Sequence, residues 1–261
     1  SAVIVTLFSL QNKKDPQQGT GFLLKEDGSI FQTNEEIFAN AIFIEDAKNA
    51  FINKASFFKN YTTENKNITA FTEFVKPAVS LVVIGAGNDT IPLIEMADIL
   101  GWDTTVADGR ANYAKANRFV SACQVLVSKP ENVLEKIAID SETVFVLMTH
   151  NYNYDLAMLR ALIKKDVVYI GSLGPKKKLD RMLNELKEEG IEISTQQQSA
   201  IFGPVGLDIG AETSEEIALS LLAEIKAVLS QKNGGFLRNK TDVIHSRSET
   251  AIELVNVNLK K

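Results

Sequence analysis

The chain has 261 residues, of which 45% are hydrophobic, and a formal net charge of -5. This length suffices for a sizeable core in one large domain or in two small ones. The acidic balance excludes the basic surface that nucleic-acid binding requires, and no apolar stretch has the length of a membrane span. The single cysteine excludes an internal disulfide framework and a multi-cysteine metal site. We therefore expect a cytoplasmic protein that binds neither nucleic acid nor membrane and has no metal site.

The first 76 residues predict a small α+β domain. β-Branched and apolar runs predict strands, and a turn at 26–29 separates the second strand from the third. A helix is predicted where apolar residues recur at helical spacing, whereas the stretch at 60–67 is polar. The predicted strands are 3–10, 21–25, 30–32 and 69–75, the predicted helix is 35–53, and Lys76-Pro77 marks the domain boundary.

From residue 79 onward, apolar strands alternate with helical stretches, which predicts a parallel sheet with helices on both faces. The predicted strands are 81–84, 104–107, 124–127, 143–147, 167–170 and 200–202. The expected fold class is α/β, with a Rossmann-like domain over residues 77–230 after the smaller α+β domain at 1–76. Residues 231–261 form a C-terminal tail without a clear assignment, with a candidate strand at 251–257.

The most informative motif is the glycine turn Gly85-Ala86-Gly87 between a predicted strand and a predicted helix. This order opens a dinucleotide-binding βαβ unit, because phosphate oxygens can approach backbone N–H groups at the start of the helix. Gly85 and Gly87 fit the first two positions of G-x-G-x-x-G. Thr90 stands where the third glycine belongs, and Asp89 adds a negative charge beside the expected phosphate position, so the motif is imperfect.

Asp108 ends the second strand of the Rossmann-like domain. At this spacing an acidic residue accepts hydrogen bonds from a ribose hydroxyl, and Arg110 can serve a phosphate instead. The alternative is a turn or N-cap aspartate before a helix that begins near residue 111. Both interpretations remain open on the sequence alone.

His150 follows the predicted strand 143–147. In the usual winding the strand order reverses between the first and fourth strands, which places the ligand crevice at residues 85–88 and at Thr149-His150. A histidine there can act as acid, base or phosphate donor, whereas the alternative is a loop histidine satisfied by the backbone. Asp155 either orients His150 or charges the first turn of the following helix. No catalytic residue is assigned.

Two further glycine loops follow strand ends. Gly171 and Gly174 precede the lysines at 176–178, which predicts either an anion site or a strand-to-helix turn with solvated lysines. The loop 203–213, with Gly206 and Asp208, has a backbone suited to close approach by a nucleotide or by the other domain.

Two local predictions complete the domain. The loop 203–213 leads into a helix with a capping box of Thr213 and Glu216. Cys123 has mostly apolar neighbours, so we expect it to be a buried core residue and not a nucleophile.

Several strings together resemble the xanthine dehydrogenase accessory factor family, also called XdhC/CoxI. They are FVKPAVSLVVIGAG, ADGR at 107–110, TH at 149–150, YIGSLG at 169–174 and GPVGLDIGAETSEEIALSLLAEI at 203–225. The last string is specific, and GTGFLLKEDGSI is similar to the family's small first domain.

The resemblance implies a maturation factor or chaperone more than a catalyst. Such a protein binds molybdenum cofactor, as molybdopterin or its dinucleotide form, and assists its sulfuration. It delivers the cofactor to the apoenzyme of a xanthine dehydrogenase-type molybdenum hydroxylase. A cysteine desulfurase and a second copy of the chain, in a homodimer, are the further expected partners. The residues expected to bind the cofactor are Gly85, Gly87, Asn88, Asp108, Arg110, His150, Gly171, Gly174, Gly206 and Asp208.

The chain departs from the family pattern at two places. Family members carry a Gly-Gly-Cys-Glu type motif where this chain has Gln32-Thr33-Asn34-Glu35-Glu36, so the thiol is missing and Cys123 does not replace it. The family's glycine turn continues His-x-Gly, whereas this chain has Asn88-Asp89-Thr90. Two alternative functions therefore stay open: an NAD(P)-dependent oxidoreductase and a non-catalytic nucleotide-binding paralogue. No catalytic Tyr-Lys or His-Asp pair for the oxidoreductase can be identified from the sequence.

Overall fold

The computed structural model describes residues 1–8, 19–33, 41–62, 67–241 and 253–255. The chain divides into two compact units, one of Ser1–Pro77 with Lys240–Lys261 and the other of Ala78–Asn239. Across the described ranges, no helix is both long and apolar enough to cross a membrane.

The first unit contains a mainly antiparallel sheet. Numbered by position in the chain, its described strands are β1 (Ala2–Phe8), β2 (Gly19–Lys25), β3 (Ile30–Gln32), β4 (Phe57–Thr62), β5 (Asn67–Val75) and β12 (Glu253–Val255). The strand order is β12-β4-β5-β1-β2-β3, in which β12 pairs parallel with β4 and the other pairs are antiparallel. The strand β12 lies within the candidate strand at 251–257, whose other residues are outside the described ranges.

Helix α1 (Ala41–Asn53) covers one face of this sheet. Phe43, Ala47 and Ala50 recur at helical spacing and pack against the inward side chains of β1, because a strand exposes alternate residues to each face. The predicted helix began at residue 35, and 35–40 lie outside the described residues.

Strand β4 was missed from the sequence because its residues from 60 onward are mostly polar. The structure satisfies the polar side chains: Lys59 Nζ lies 2.8 Å from Asp46 Oδ1, and Thr69 donates to Asn60 Oδ1 at 2.6 Å. Tyr61 also donates to the buried Asp46 carboxylate. Burial, reinforced by this hydrogen bond, raises the pKa of Tyr61 above its usual value. Partners that are distant in sequence therefore stabilise β4 as a strand, although its polar sequence is typical of a loop.

The second unit contains a parallel sheet, as predicted. Its described strands are β6 (Ser80–Ile84), β7 (Asp103–Asp108), β8 (Gln124–Val127), β9 (Thr143–Leu147), β10 (Ile170–Ser172) and β11 (Ile201–Phe202). They lie in the order β11-β10-β9-β6-β7-β8. The ladder of β10 begins later than the predicted strand at 167–170, because Val167 and Tyr169 are buried loop residues before it.

Helices cover both faces of the parallel sheet, which confirms the predicted fold class. They are α2 (Thr90–Ile99), α3 (Pro130–Val133), α4 (Tyr152–Leu162), α5 (Lys176–Glu188), α6 (Thr195–Ser199) and α7 (Ser214–Leu229). Val144 and Val146 of β9 pack with α2 and α7. Phe145 and Leu147 pack with α4 and α5 on the other face. Strand β9 is therefore buried on both sides, as expected for a central parallel strand.

Two local predictions in this unit were wrong. Within the described residues, no α-helix begins near residue 111. The segment there forms turns and one 3₁₀ turn at Ala116–Arg118. Cys123 is exposed, because it lies in the turn before the edge strand β8, and its thiol is 3.8 Å from Asp103 Oδ1.

The capping box at the start of α7 is confirmed. The Thr213 hydroxyl accepts a hydrogen bond from the Glu216 N–H at 3.3 Å, and the Glu216 carboxylate accepts from the Thr213 N–H at 3.0 Å. These contacts satisfy two of the free donors at the helix N-terminus.

We predict that Thr213→Ala lowers the free energy of unfolding of the second unit by about 1 kcal/mol, because one capping acceptor is lost. Urea unfolding followed by the fluorescence of Trp102, the single tryptophan and a core residue of this unit, measures the change. Ser230→Ala, at the exposed opposite end of α7, is the control and should change stability little. Equal effects of the two substitutions would contradict the capping role.

Candidate functional site

The reversal of strand order from which the crevice is predicted is present at the carboxyl ends of β6 and β9. Strand β6 pairs with β7 on one side and with β9 on the other, and all three run parallel. The chain leaves β6 towards α2 on one face and leaves β9 towards α4 on the other face. Such a reversal separates the two connections and opens a crevice between the strand ends. The glycine turn and His150 both lie at this crevice.

Gly85 shapes the glycine turn. Its φ is +130°, and a side chain there would collide with the Met148 carbonyl oxygen, so no larger residue fits. Its N–H donates to the Ala107 carbonyl at 2.8 Å. The buried Thr90 hydroxyl donates to the Gly85 carbonyl at 3.0 Å, so the residue in place of the third glycine closes the turn.

Asp108 holds the turn to the end of β7. The residue is 2% exposed, and its carboxylate accepts hydrogen bonds from the Ala86 N–H at 2.9 Å and from the Arg110 N–H at 2.8 Å. The Arg110 guanidinium adds two more, at 3.0 and 2.7 Å. Burial alone would raise the pKa of Asp108, but these donors outweigh it and lower the pKa. Both oxygens are thus engaged within the protein, and a ribose hydroxyl would have to share them.

Arg118 contributes to the same wall and was missed from the sequence. Its guanidinium donates to the Ala86 carbonyl at 2.8 Å and to Asn88 Oδ1 at 2.7 Å. Arg110 stacks on the Tyr113 ring at 4.1 Å from its centroid, and Arg118 lies 5.6 Å from the same centroid. Nothing near Arg118 in sequence indicates this role, because the contact spans about thirty residues of chain.

His150 presents its imidazole at the crevice. Its φ of +57° lies in the left-handed region, which residues other than glycine rarely adopt, and its side chain is 65% exposed. The Nε2 atom is 2.8 Å from Asp89 Oδ2, so the histidine is paired with a carboxylate and not satisfied by the backbone. This His-Asp pair joins residues 61 positions apart, which is why it was not legible in sequence.

Asp155 makes no direct hydrogen bond to His150 among the described contacts. It is fully buried in the first turn of α4 and accepts from the Thr149 hydroxyl at 2.6 Å and from Lys178 Nζ at 2.6 Å. Lys178 also donates to the Leu173 carbonyl at 2.9 Å. Lys178 is therefore an internal ion-pair partner that fixes the ends of β9 and β10, while Lys176 and Lys177 are exposed.

The remaining predicted residues lie in β10 or in the loops that follow β10 and β11. Gly171 is buried in β10, where a side chain would crowd Tyr169 and Val205, and Gly174 follows β10 with a φ of +116°. Both lie beside the end of β9, since β10 pairs with that strand.

The loop after β11 closes onto α7. A side chain at Gly206, whose φ is +102°, would collide with the Ser220 hydroxyl. The Gly206 N–H and the Tyr169 hydroxyl both donate to Glu224 Oε1, at 3.0 and 2.6 Å. A cavity of about 390 Å³ lies between this loop and α7, and the exposed Asp208 is among its lining residues.

A family model described as the XdhC Rossmann domain matches residues 81–225. A probable xanthine dehydrogenase subunit of Bacillus subtilis (strain 168) is 33% identical over 155 residues, which are 59% of this chain and 44% of that protein. The molybdenum cofactor insertion chaperone PaoD of Escherichia coli (strain K12) is 26% identical over 162 residues, 62% of this chain and 44% of that protein.

The uncharacterized protein YqeB of Escherichia coli (strain K12) is 32% identical over 169 residues, 60% of this chain and 28% of that protein. The chain thus spans less than half the length of these curated relatives. A crystal structure of a xanthine dehydrogenase from Bacillus halodurans superposes with a TM-score of 0.56 at 18% identity, over 89% of this chain and 92% of that chain. At this identity the likeness shows a shared fold alone.

We predict that Lys178→Met lowers the free energy of unfolding of the second unit by about 3 kcal/mol, because it leaves the buried Asp155 carboxylate without its cation. Trp102 fluorescence during urea unfolding measures the loss. Lys177→Met, one residue earlier and exposed, is the matched control and should stay close to the unsubstituted chain. Similar stability of the two variants would show that the buried pair contributes nothing.

We also predict that Asp108→Asn destabilises the second unit by about 2 kcal/mol at pH 7, since a buried charge-assisted network is lost. The folded-state pKa of Asp108 is lowered, so this stability is present above the ordinary pKa of about 4 and is lost as the pH falls through the lowered value. Urea unfolding at pH 7 and pH 3 should show that the difference in free energy of unfolding between the unsubstituted chain and Asp108→Asn is smaller at pH 3. Asp103→Asn, at the exposed start of β7, is the control, and a difference that grows on acidification would refute the account.

Proposed function

The chain belongs to the XdhC family, and on that premise we propose that it binds molybdenum cofactor, assists its sulfuration and delivers it to a xanthine dehydrogenase-type molybdenum hydroxylase. The observation that carries the proposal is the crevice, whose glycine turn is fixed by Asp108 and flanked by two guanidinium groups. The names of two relatives, a cofactor insertion chaperone and a probable component of xanthine dehydrogenase, support the same role.

The residues of the crevice suit an anionic cargo. Among the hydrogen bonds of the described chain, none uses the backbone N–H groups of Gly87, Asn88 or Asp89. The guanidinium groups of Arg110 and Arg118 lie beside the turn. Free backbone donors at a helix N-terminus and nearby arginines favour a phosphate group, which molybdopterin carries.

The proposed contacts extend along the crevice from the turn. Gly85 and Gly87 shape the backbone, Asn88 and the two arginines supply polar contacts, and His150 faces them from β9. Asp108 acts through the turn and Arg110. We place the second wall of the site at Gly171 in β10 and in the loops after β10 and β11, with Gly174, Gly206 and Asp208.

The chain's own part in sulfuration is to hold and orient the cofactor. Gln32 and Thr33 stand at the start of the segment where family members carry a thiol, and residues 34–36 lie outside the described ranges. No cysteine is present in that segment, so the sulfur atom has to come from a partner, for which we propose a cysteine desulfurase. The receiving partner is the hydroxylase apoenzyme, and we propose that the chain acts as a homodimer.

We predict that molybdenum cofactor raises the unfolding temperature of the full chain, whereas NAD and NADP do not. Ligand at a hundred times its Kd stabilises the native state by about 2.7 kcal/mol, which a thermal-shift assay detects. Arg118→Met should weaken binding about tenfold, a loss of roughly 1.4 kcal/mol, because a charge and two donors leave the turn. Arg181→Met, which removes an arginine stacked on Tyr152, is the control.

A shift with NAD or NADP equal to that with the cofactor would favour the oxidoreductase alternative. The absence of any shift with molybdenum cofactor would refute the proposed function.

A further inference from the structure

The carboxylate of Asp89 fills the space that the glycine turn leaves open. In a dinucleotide-binding turn the second glycine lacks a side chain so that a pyrophosphate can approach the backbone. A Cβ placed on Gly87 would collide with Asp89 Oδ1, so the chain's own carboxylate lies in that space. Asp89 stands at the N-cap of α2 but makes no side-chain capping hydrogen bond. Capping therefore does not explain its position.

His150 holds Asp89 in place across the crevice. Its Nε2 atom, at 2.8 Å from Asp89 Oδ2, is the partner that the structure gives this carboxylate within the described chain. The unfavourable φ of His150 is maintained by its neighbours, because the Thr149 hydroxyl donates to Asp155 and accepts from the Asn151 N–H at 3.0 Å. The histidine is thus fixed in a conformation that faces the turn.

Formal charges around the turn cancel. Asp89 and Asp108 carry one negative charge each, and Arg110 and Arg118 carry one positive charge each. The Asp108 charge is neutralised by Arg110 in a direct ion pair at 2.7 Å, and the Arg118 guanidinium bonds to Ala86 and Asn88 of the turn. A ligand diphosphate would meet no net positive charge from these four side chains and a carboxylate in contact range, and like charges so close oppose binding.

We infer that Asp89 is a specificity-determining residue that excludes a diphosphate from the glycine turn. The inference rests on the proposed function and narrows it, because the native chain then takes molybdenum cofactor as the phosphate monoester and not as the dinucleotide. The dinucleotide form carries a diphosphate, whereas molybdopterin itself ends in a single phosphate.

The test uses ADP as a diphosphate probe and AMP as its monophosphate counterpart, titrated calorimetrically into the full chain. Asp89→Asn removes the charge and keeps the size of the side chain, whereas Asp89→Gly also opens the space over Gly87. We expect ADP to bind each variant at least about tenfold tighter than the unsubstituted chain, with a smaller gain for AMP. Asp98→Asn, an exposed aspartate on the same helix, is the control and should leave ADP binding unchanged. Thermal unfolding verifies that each variant is folded.

ADP binding that is equal in the unsubstituted chain and in Asp89→Asn overturns the inference, and so does the absence of ADP binding in both Asp89 variants. A second arm offers the two cofactor forms to the unsubstituted chain in a thermal-shift assay. A rise with molybdopterin alone supports the inference, and an equal rise with the dinucleotide overturns it. If neither form shifts the chain while Asp89→Asn gains ADP binding, the proposed function fails and the exclusion by Asp89 stands.

Discussion

The buried carboxylate of Asp108 is the contact on which the crevice depends. Removing a carboxylate from water is costly unless donors replace the lost solvation, and here two backbone N–H groups and a guanidinium do so. One of those N–H groups belongs to Ala86, in the middle of the glycine turn. The turn, the position of Arg110 and the stacking of Arg110 on Tyr113 therefore follow from a single buried charge.

The same solution recurs where other elements meet. Asp155 and Lys178 join the ends of β9 and β10, and Asp46 and Lys59 join α1 to β4 within the first unit. Each of these carboxylates is nearly or fully buried and each has a cation within about 3 Å, so loss of either partner would strand a charge. The pair of Asp89 and His150 differs, because both side chains retain solvent contact. The crevice thus combines buried ion pairs, which hold the strand ends together, with the Asp89–His150 pair, whose partners water can also solvate.

Local patterns in the sequence were enough to predict the frame of the second unit. The apolar runs of β6 and β9, the capping box of α7 and the reversal of strand order were all legible, because each depends on neighbouring residues or on a general rule of topology. The failures have the opposite origin. Strand β4 depends on Asp46, which pairs with its lysine. Cys123 is exposed because β8 is an edge strand. Strand β10 begins later than predicted because the buried loop residues before it are apolar, as strand residues are. Arg118 and the His150–Asp89 pair are contacts over long sequence distances, which no local pattern encodes.

The glycine turn departs from the family pattern at Thr90 and at Asp89, and the two side chains make different contacts. Thr90 replaces a glycine, yet its buried hydroxyl bonds to the Gly85 carbonyl, so this change is absorbed by the fold. Asp89 makes no capping bond and lies over Gly87, and its partner in the described chain is the exposed His150 across the crevice. A carboxylate that caps no helix and lies where a ligand phosphate would approach acts, on our inference, on the choice of ligand. In this chain the buried carboxylates therefore determine the shape of the crevice, and an accessible one determines what the crevice accepts.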